Sequence, residues 1–230
     1  MTGDVLVCRA SEGDLDVLSP LVAESLLAGP VGGWLVPDAT ERPEALRRYA
    51  RLLVSWGLEH GQVDTTGDWS VVAVWHRRPE VPVPSAQWMY DLHRALGSHA
   101  SRFALWHAYL DAVVPHVPHA YLAHLAARPG HDETVRALLT AHHRVLDAEG
   151  LPAYAEVPGG RPREGLLAGL GYEPRSPILL EPDGPPLWRM WRPGPDSGRA
   201  CSGLPPRARL RRGVTPVRGR LLPTRPPASF

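Results

Sequence analysis

The chain has 230 residues, 43% of them hydrophobic and 21% charged, with a formal net charge of +1. This is enough apolar residue for one packed domain and excludes a wholly disordered chain. No stretch reaches the roughly 18 apolar residues a membrane span needs. Met1 to Asp4 lacks the basic start and apolar segment of a secretory signal, and Cys8 and Cys201 cannot make a disulfide framework, so a cytoplasmic location and no membrane partner are expected. The net charge hides an asymmetry. Residues 193–230 hold eight Arg against Asp196, a tail of +7, which leaves −6 on residues 1–192. All basic residues are Arg, with Lys and Asn absent and Ile178 the only Ile, a pattern of GC-rich coding that weakens any reading of the tail as a nucleic-acid arm.

In chain order, Ser11 with Asp14 three residues on caps a helix carrying Leu15, Leu18, Val22 and Leu26, which ends at Gly29-Pro30. A second helix begins near Asp38 or Thr40, tolerates Pro43 in its first turn, and buries Leu46, Tyr49, Leu53 and Trp56 before Gly57 or Gly61. Residues 62–65 and 70–75 read as a hairpin around Gly67-Asp68, followed by a rigid connector from Pro79 to Pro84. Residues 88–114 read as helical. A strand over 119–127 leads past Arg128-Pro129-Gly130 to the clearest amphipathic helix, with Val135, Leu138, Leu139, His142, Val145 and Leu146 on its apolar face. A strand over 152–157, a short helix over 163–169, and strands over 172–180 and 187–191 complete a mixed α/β domain over residues 1–192. Residues 193–230, with eight Pro and no apolar period, read as a disordered tail. It lacks aromatics to stack bases apart from Phe230, so no nucleic-acid partner is expected.

Several blocks, in order, carry a resemblance to a known family: Asp14 to Asp38 with Gly33-Trp34-Leu35-Val36-Pro37-Asp38, the run from His119 to Val157, Leu170-Gly171-Tyr172, and Asp183-Gly184-Pro185-Pro186 with Met190-Trp191-Arg192. Together they make residues 5–192 resemble the GNAT superfamily of acyl-CoA-dependent N-acyltransferases. The resemblance implies an α/β fold with a mixed, mostly antiparallel sheet, a central splayed strand pair and flanking helices. It implies an N-acetyltransferase that moves an acetyl group from acetyl-CoA, as co-substrate, to an amine of a small molecule or peptide by direct attack. Acetyl-CoA and an amine acceptor are then the partners, and a homodimer is compatible with it.

In that family the cofactor's pantetheine arm lies on the splayed strand, here Leu125, Ala126 and Ala127. Its pyrophosphate lies on amides where a loop enters a helix, here Gly130, His131, Thr134, Val135 and Arg136. The loop departs from the family pattern. It is about two residues short, lacks glycines beyond Gly130, and places Asp132 and Glu133 where a dianion should land. The family's frequent proton-donating Tyr is replaced by Leu167; Tyr172 or Tyr154 is the substitute. His124, Glu156 and His119 are the candidates for a general base. The competing reading is a catalytically impaired GNAT-like binding or scaffold domain with weak or no CoA binding. Eleven histidines do not make a metal site: prolines separate His116 from His119, and His142 and His143 point to different faces of one helix. No hydrolase elbow or phosphate-binding P-loop is present.

Overall fold

The hairpin around Gly67-Asp68 anchors the sheet. In the computed structural model, which describes residues 5–79, 85–159 and 161–195, strands β2 (Gln62–Thr66) and β3 (Val71–Arg78) pair antiparallel across it. Thr66 and Asp68 hold the turn through side-chain hydrogen bonds to Ser70. A three-residue strand, β1 (Val7–Arg9), adds to the outer edge of β2. Its half-buried sequence carries no alternation long enough to announce it. On the other side come β4 (His119–Ala127), β5 (Ala153–Pro158), β6 (Glu173–Leu179) and β7 (Pro186–Arg192), giving the order β1-β2-β3-β4-β5-β7-β6. Among the described residues, only β4 and β5 run parallel. The strand over 119–127 falls where the sequence put it.

Two layers of helix cover the sheet. On one face lie α1 (Leu15–Ala28), α2 (Pro30–Leu35), α3 (Arg42–His60), α4 (Ala86–Leu96) and α5 (Ala100–Asp111), around a core that includes Leu18, Leu46, Val54, Leu92 and Phe103. Asp14 caps the start of this layer by accepting from the Ser11 amide and hydroxyl, as the sequence pattern required. Gly57 lets α3 sit directly on the strands: a Cβ there would meet Val74 Cγ1 at 2.6 Å and Val63 Cγ2 at 3.0 Å. The other face is covered by α6 (Asp132–Ala148), whose Val135, Leu138, Leu139 and Leu146 pack against Val71, Ala73, Trp75 and Leu122. Arg192 clamps this layer with a two-point bond to Asp147, both at 2.7 Å.

Three sequence expectations need correction. The residues after Gly29 continue as the short helix α2, because Pro30 suits a first helical position. The helical region over 88–114 is two helices, parted at Gly97, whose φ of +52° favours glycine. Residues 163–169 form turns rather than a helix and end in a single 3₁₀ turn at Ala168–Leu170, since Gly165 and Gly169 weaken helix formation. The connector expected from Pro79 to Pro84 and the tail after residue 195 lie outside the described residues, apart from Pro79. Among the described residues, no helix is long and apolar enough to cross a membrane.

Candidate functional site

The parallel pairing of β4 and β5 covers only Ala120–Leu122 against Ala153–Ala155. Beyond that the strands part. From Ala123 to Ala127, β4 stays paired with β3 alone, while β5 from Glu156 to Pro158 pairs with β7. The backbone edge of β4 that faces β5 therefore has no strand partner over its second half. Ala123 is the extra residue of a bulge, since Val74 stands opposite His124 but Trp75 opposite Leu122. The bulge bends β4 away from β5 and opens the gap.

A cavity of about 390 Å³ occupies that gap. Its walls come from both faces of the sheet, with Trp106, Leu110 and Glu156 on one side and Leu125, Val157 and Leu167 on the other. Two of the expected catalytic residues, His124 and Glu156, line it together. Burial raises the Glu156 carboxyl to about 7, against opposing pulls from the Tyr121 and Tyr154 hydroxyls and the Arg78 charge. Burial also lowers His124 to about 4, so its imidazole is neutral at pH 7. Its Nε2 is buried with no hydrogen-bond partner. Tyr121 lines the cavity too, with its hydroxyl pKa raised by burial and by the Glu156 charge beside it.

Tyr172 stands elsewhere. Its ring belongs to the core under α6, and its hydroxyl meets His143 Nε2 at 3.0 Å. His119 is fully buried, with Nδ1 2.7 Å from the Val117 carbonyl, and also lies off the cavity. Tyr154 is buried beside Glu156, and burial together with the carboxylate charge raises its hydroxyl pKa. Leu167 lies on the cavity wall. His142 and His143 are both structural: His142 Nδ1 is 2.7 Å from Asp64 and its ring stacks on Trp75 at 4.1 Å. Among the described residues no group of His, Cys, Asp and Glu has the arrangement to hold a metal ion.

The loop before α6 turns at Gly130, whose φ is +80° and whose surroundings are open. His131 precedes the helix without a side-chain cap, which leaves the first-turn amides of α6 available to an anion. Asp132 and Glu133 point outward, Glu133 with its side chain 91% exposed and 4.0 Å from Arg136. The carboxylates therefore surround this amide cluster without filling it. The residues present fit a CoA pyrophosphate, with electrostatic opposition from the two acids.

No protein-family model matches the sequence, and no curated protein matches it. Solved structures do. The histone acetyltransferase HPA2 and related acetyltransferase of Corynebacterium glutamicum superposes with a TM-score of 0.61 at 22% identity, covering 84% of this chain and 97% of that one. Arylalkylamine N-acetyltransferase 2 of Aedes aegypti gives 0.55 at 9% identity, over 83% and 99% of the two chains. The polyamine N-acetyltransferase of Drosophila melanogaster, which forms N-acetylagmatine, gives 0.53 at 12%, over 83% and 100%. The chain has the GNAT fold: a mixed, mostly antiparallel seven-stranded sheet with one parallel pair, flanked by helices.

Sequence reasoning missed Tyr121, Asp111 and Arg78, which surround the Glu156 carboxyl or act on it electrostatically. Tyr121 lines the cavity from β4, but every residue from 121 to 125 does so across the bulge, so a period of two does not single it out. Nothing in the local sequence marks Arg78 or Asp111.

Proposed function

We propose that the chain is an N-acetyltransferase that moves an acetyl group from acetyl-CoA to an amine of a small molecule or peptide, with the amine attacking the thioester directly. The observation that carries this reading is the cavity through the parting of β4 and β5, with Glu156 inside it. The free backbone edge at Leu125, Ala126 and Ala127 receives the pantetheine arm and polarises the thioester carbonyl. The pyrophosphate is received at the start of α6: Gly130 leaves room for it, Thr134 offers a first-turn amide and Arg136 a charge, whereas the His131 and Val135 amides are already bonded to the Arg128 and His131 carbonyls.

Glu156 is the general base. With its pKa near 7 it holds both forms at neutral pH, which suits a group that must accept a proton from an arriving ammonium. The second proton lost by the nitrogen accompanies the departing CoA sulfur. His124, neutral and with an unpaired Nε2, faces the same gap, where that nitrogen is open to a ligand. Tyr172, with its hydroxyl engaged by His143, takes no part in this scheme. A cytoplasmic location goes with this reading.

Calorimetric titration with acetyl-CoA tests it. The expected result is a micromolar dissociation constant, with CoA release in the presence of an amine panel. Millimolar or absent binding overturns the enzyme reading and favours a scaffold domain.

A further inference from the structure

A second cavity, of about 410 Å³, lies under α3, α4 and α5 and adjoins the first at Trp106, Leu110, Tyr121 and Ala123. Its walls are aromatic. Trp88 packs edge-on against Trp56, with ring centres 5.2 Å apart, and against His107 at 5.0 Å. Two charged groups interrupt this lining, Arg78 and Asp111.

They are not equivalent. Burial pushes the Asp111 carboxyl up, while the Arg78 charge pulls it down. A guanidinium stays charged. Arg78 is therefore the permanent charge of this lining. Arg78 reaches from the end of β3 over the Tyr121 ring, 5.5 Å from its centre, and its Nε is buried without a hydrogen-bond partner. Such a group repels a plain ammonium and disfavours a diamine still more. It attracts a ligand that brings its own carboxylate, which would supply the missing acceptor in a charge-assisted bond.

We propose that this second cavity seats the acceptor, and that the acceptor is an aromatic amino acid. Its carboxylate pairs with Arg78, its ring lies against Trp56 and Trp88, and its amine passes Tyr121 toward Glu156. The proposal rests on the transferase reading for its chemistry, but the seat itself is testable by binding alone.

The test compares phenylalanine with 2-phenylethylamine, which lacks only the carboxylate, and with a linear diamine. Each is measured for acetyl transfer and, by calorimetry, for binding to the CoA-loaded protein. Phenylalanine is expected to exceed 2-phenylethylamine by at least about tenfold in kcat/KM, because a buried charged donor is left unpaired by the shorter ligand. Arg78→Met should reverse the order, weakening phenylalanine through KM and improving 2-phenylethylamine. Equal or better turnover of 2-phenylethylamine by the unaltered protein overturns the carboxylate assignment and leaves the transferase standing. Phenylalanine that binds, and loses binding in Arg78→Met, but is never acetylated keeps the carboxylate pairing with Arg78 and overturns the aromatic amino acid as acceptor; the transferase itself stands or falls on the acetyl-CoA titration. If neither aromatic ligand binds or reacts, the seat is overturned. The ranking in the unaltered protein decides the matter even where the variant does not fold.

Discussion

Burial changes the chemistry open to Glu156. A carboxyl held near 7 is half-ionised under ordinary conditions, while its unfolded counterpart titrates near 4.5. If it is the base, kcat/KM rises with pH through about 7. Glu156→Gln should remove that limb and lower the rate by roughly 10² to 10⁴-fold. The linkage to stability has a definite sign. A carboxyl whose folded pKa is raised contributes fully below 4.5 and loses that contribution as pH rises through 7. The Gln variant should therefore gain stability at pH 8, by up to about 3 kcal/mol, measured by urea unfolding. A variant with unchanged activity and the same pH profile would remove Glu156 from the reaction. Glu156 was legible because strand order and period placed it beside the splayed strand. Tyr172 was not, since its strand position did not reveal that its hydroxyl would be engaged by His143, 29 positions away. Arg78 and Asp111 were invisible for the same reason: they meet the cavity only through tertiary packing of β3 and α5.

At the scale of elements, the start of α6 combines two opposing effects. Outward-pointing Asp132 and Glu133 stabilise the helix by about 0.3–1 kcal/mol each through its dipole, but repel a dianion approaching the same amides. Asp132→Asn with Glu133→Gln keeps the shape and removes the charge. It should tighten acetyl-CoA binding several-fold at low salt. The gain should disappear near 1 M salt, where the screening length falls to about 3 Å. A change in affinity that survives high salt would assign the effect to the loop's shape instead. The elements themselves were largely readable, because β4 and α6 carry long, clear periods and Gly61 and Gly130 mark boundaries. What escaped was defined by partners rather than by local pattern. Strand β1 exists through its pairing with β2, and the turns over 163–169 replace a helix whose glycines offered too little to hold it. The bulge at Ala123, which opens the site, is likewise a matter of register between strands.

Across the whole molecule, the two faces of the sheet share a dependence on uncharged histidines. Burial lowers His76, His107, His124 and His143 to about 4 from a usual 6.5. Of these, His107 hydrogen-bonds Tyr49 at 3.1 Å and His143 hydrogen-bonds Tyr172, so both helical layers are involved. A base with a depressed folded pKa contributes stability that is present above 6.5. That contribution is lost as pH falls toward 4, because the unfolded chain takes protons the folded chain refuses. Each such histidine is worth up to about 3 kcal/mol, and four of them rival the whole 5–15 kcal/mol typical of a domain. Glu156 works the other way over the same range but is a single group. Carboxylates held low, such as Asp68 at about 2 through hydrogen bonds from Thr66 and Ser70, keep their contribution until the pH is lower still. The histidines therefore act first. The urea midpoint should fall steeply between pH 6.5 and 4, with cooperative loss of near-ultraviolet circular dichroism in that window. The core packing of β4 and β5 should fail together with the site. A midpoint that stays flat from pH 7 to 4.5 would mean these imidazoles take up protons without unfolding the sheet, and the gap between the strands would then be open to water.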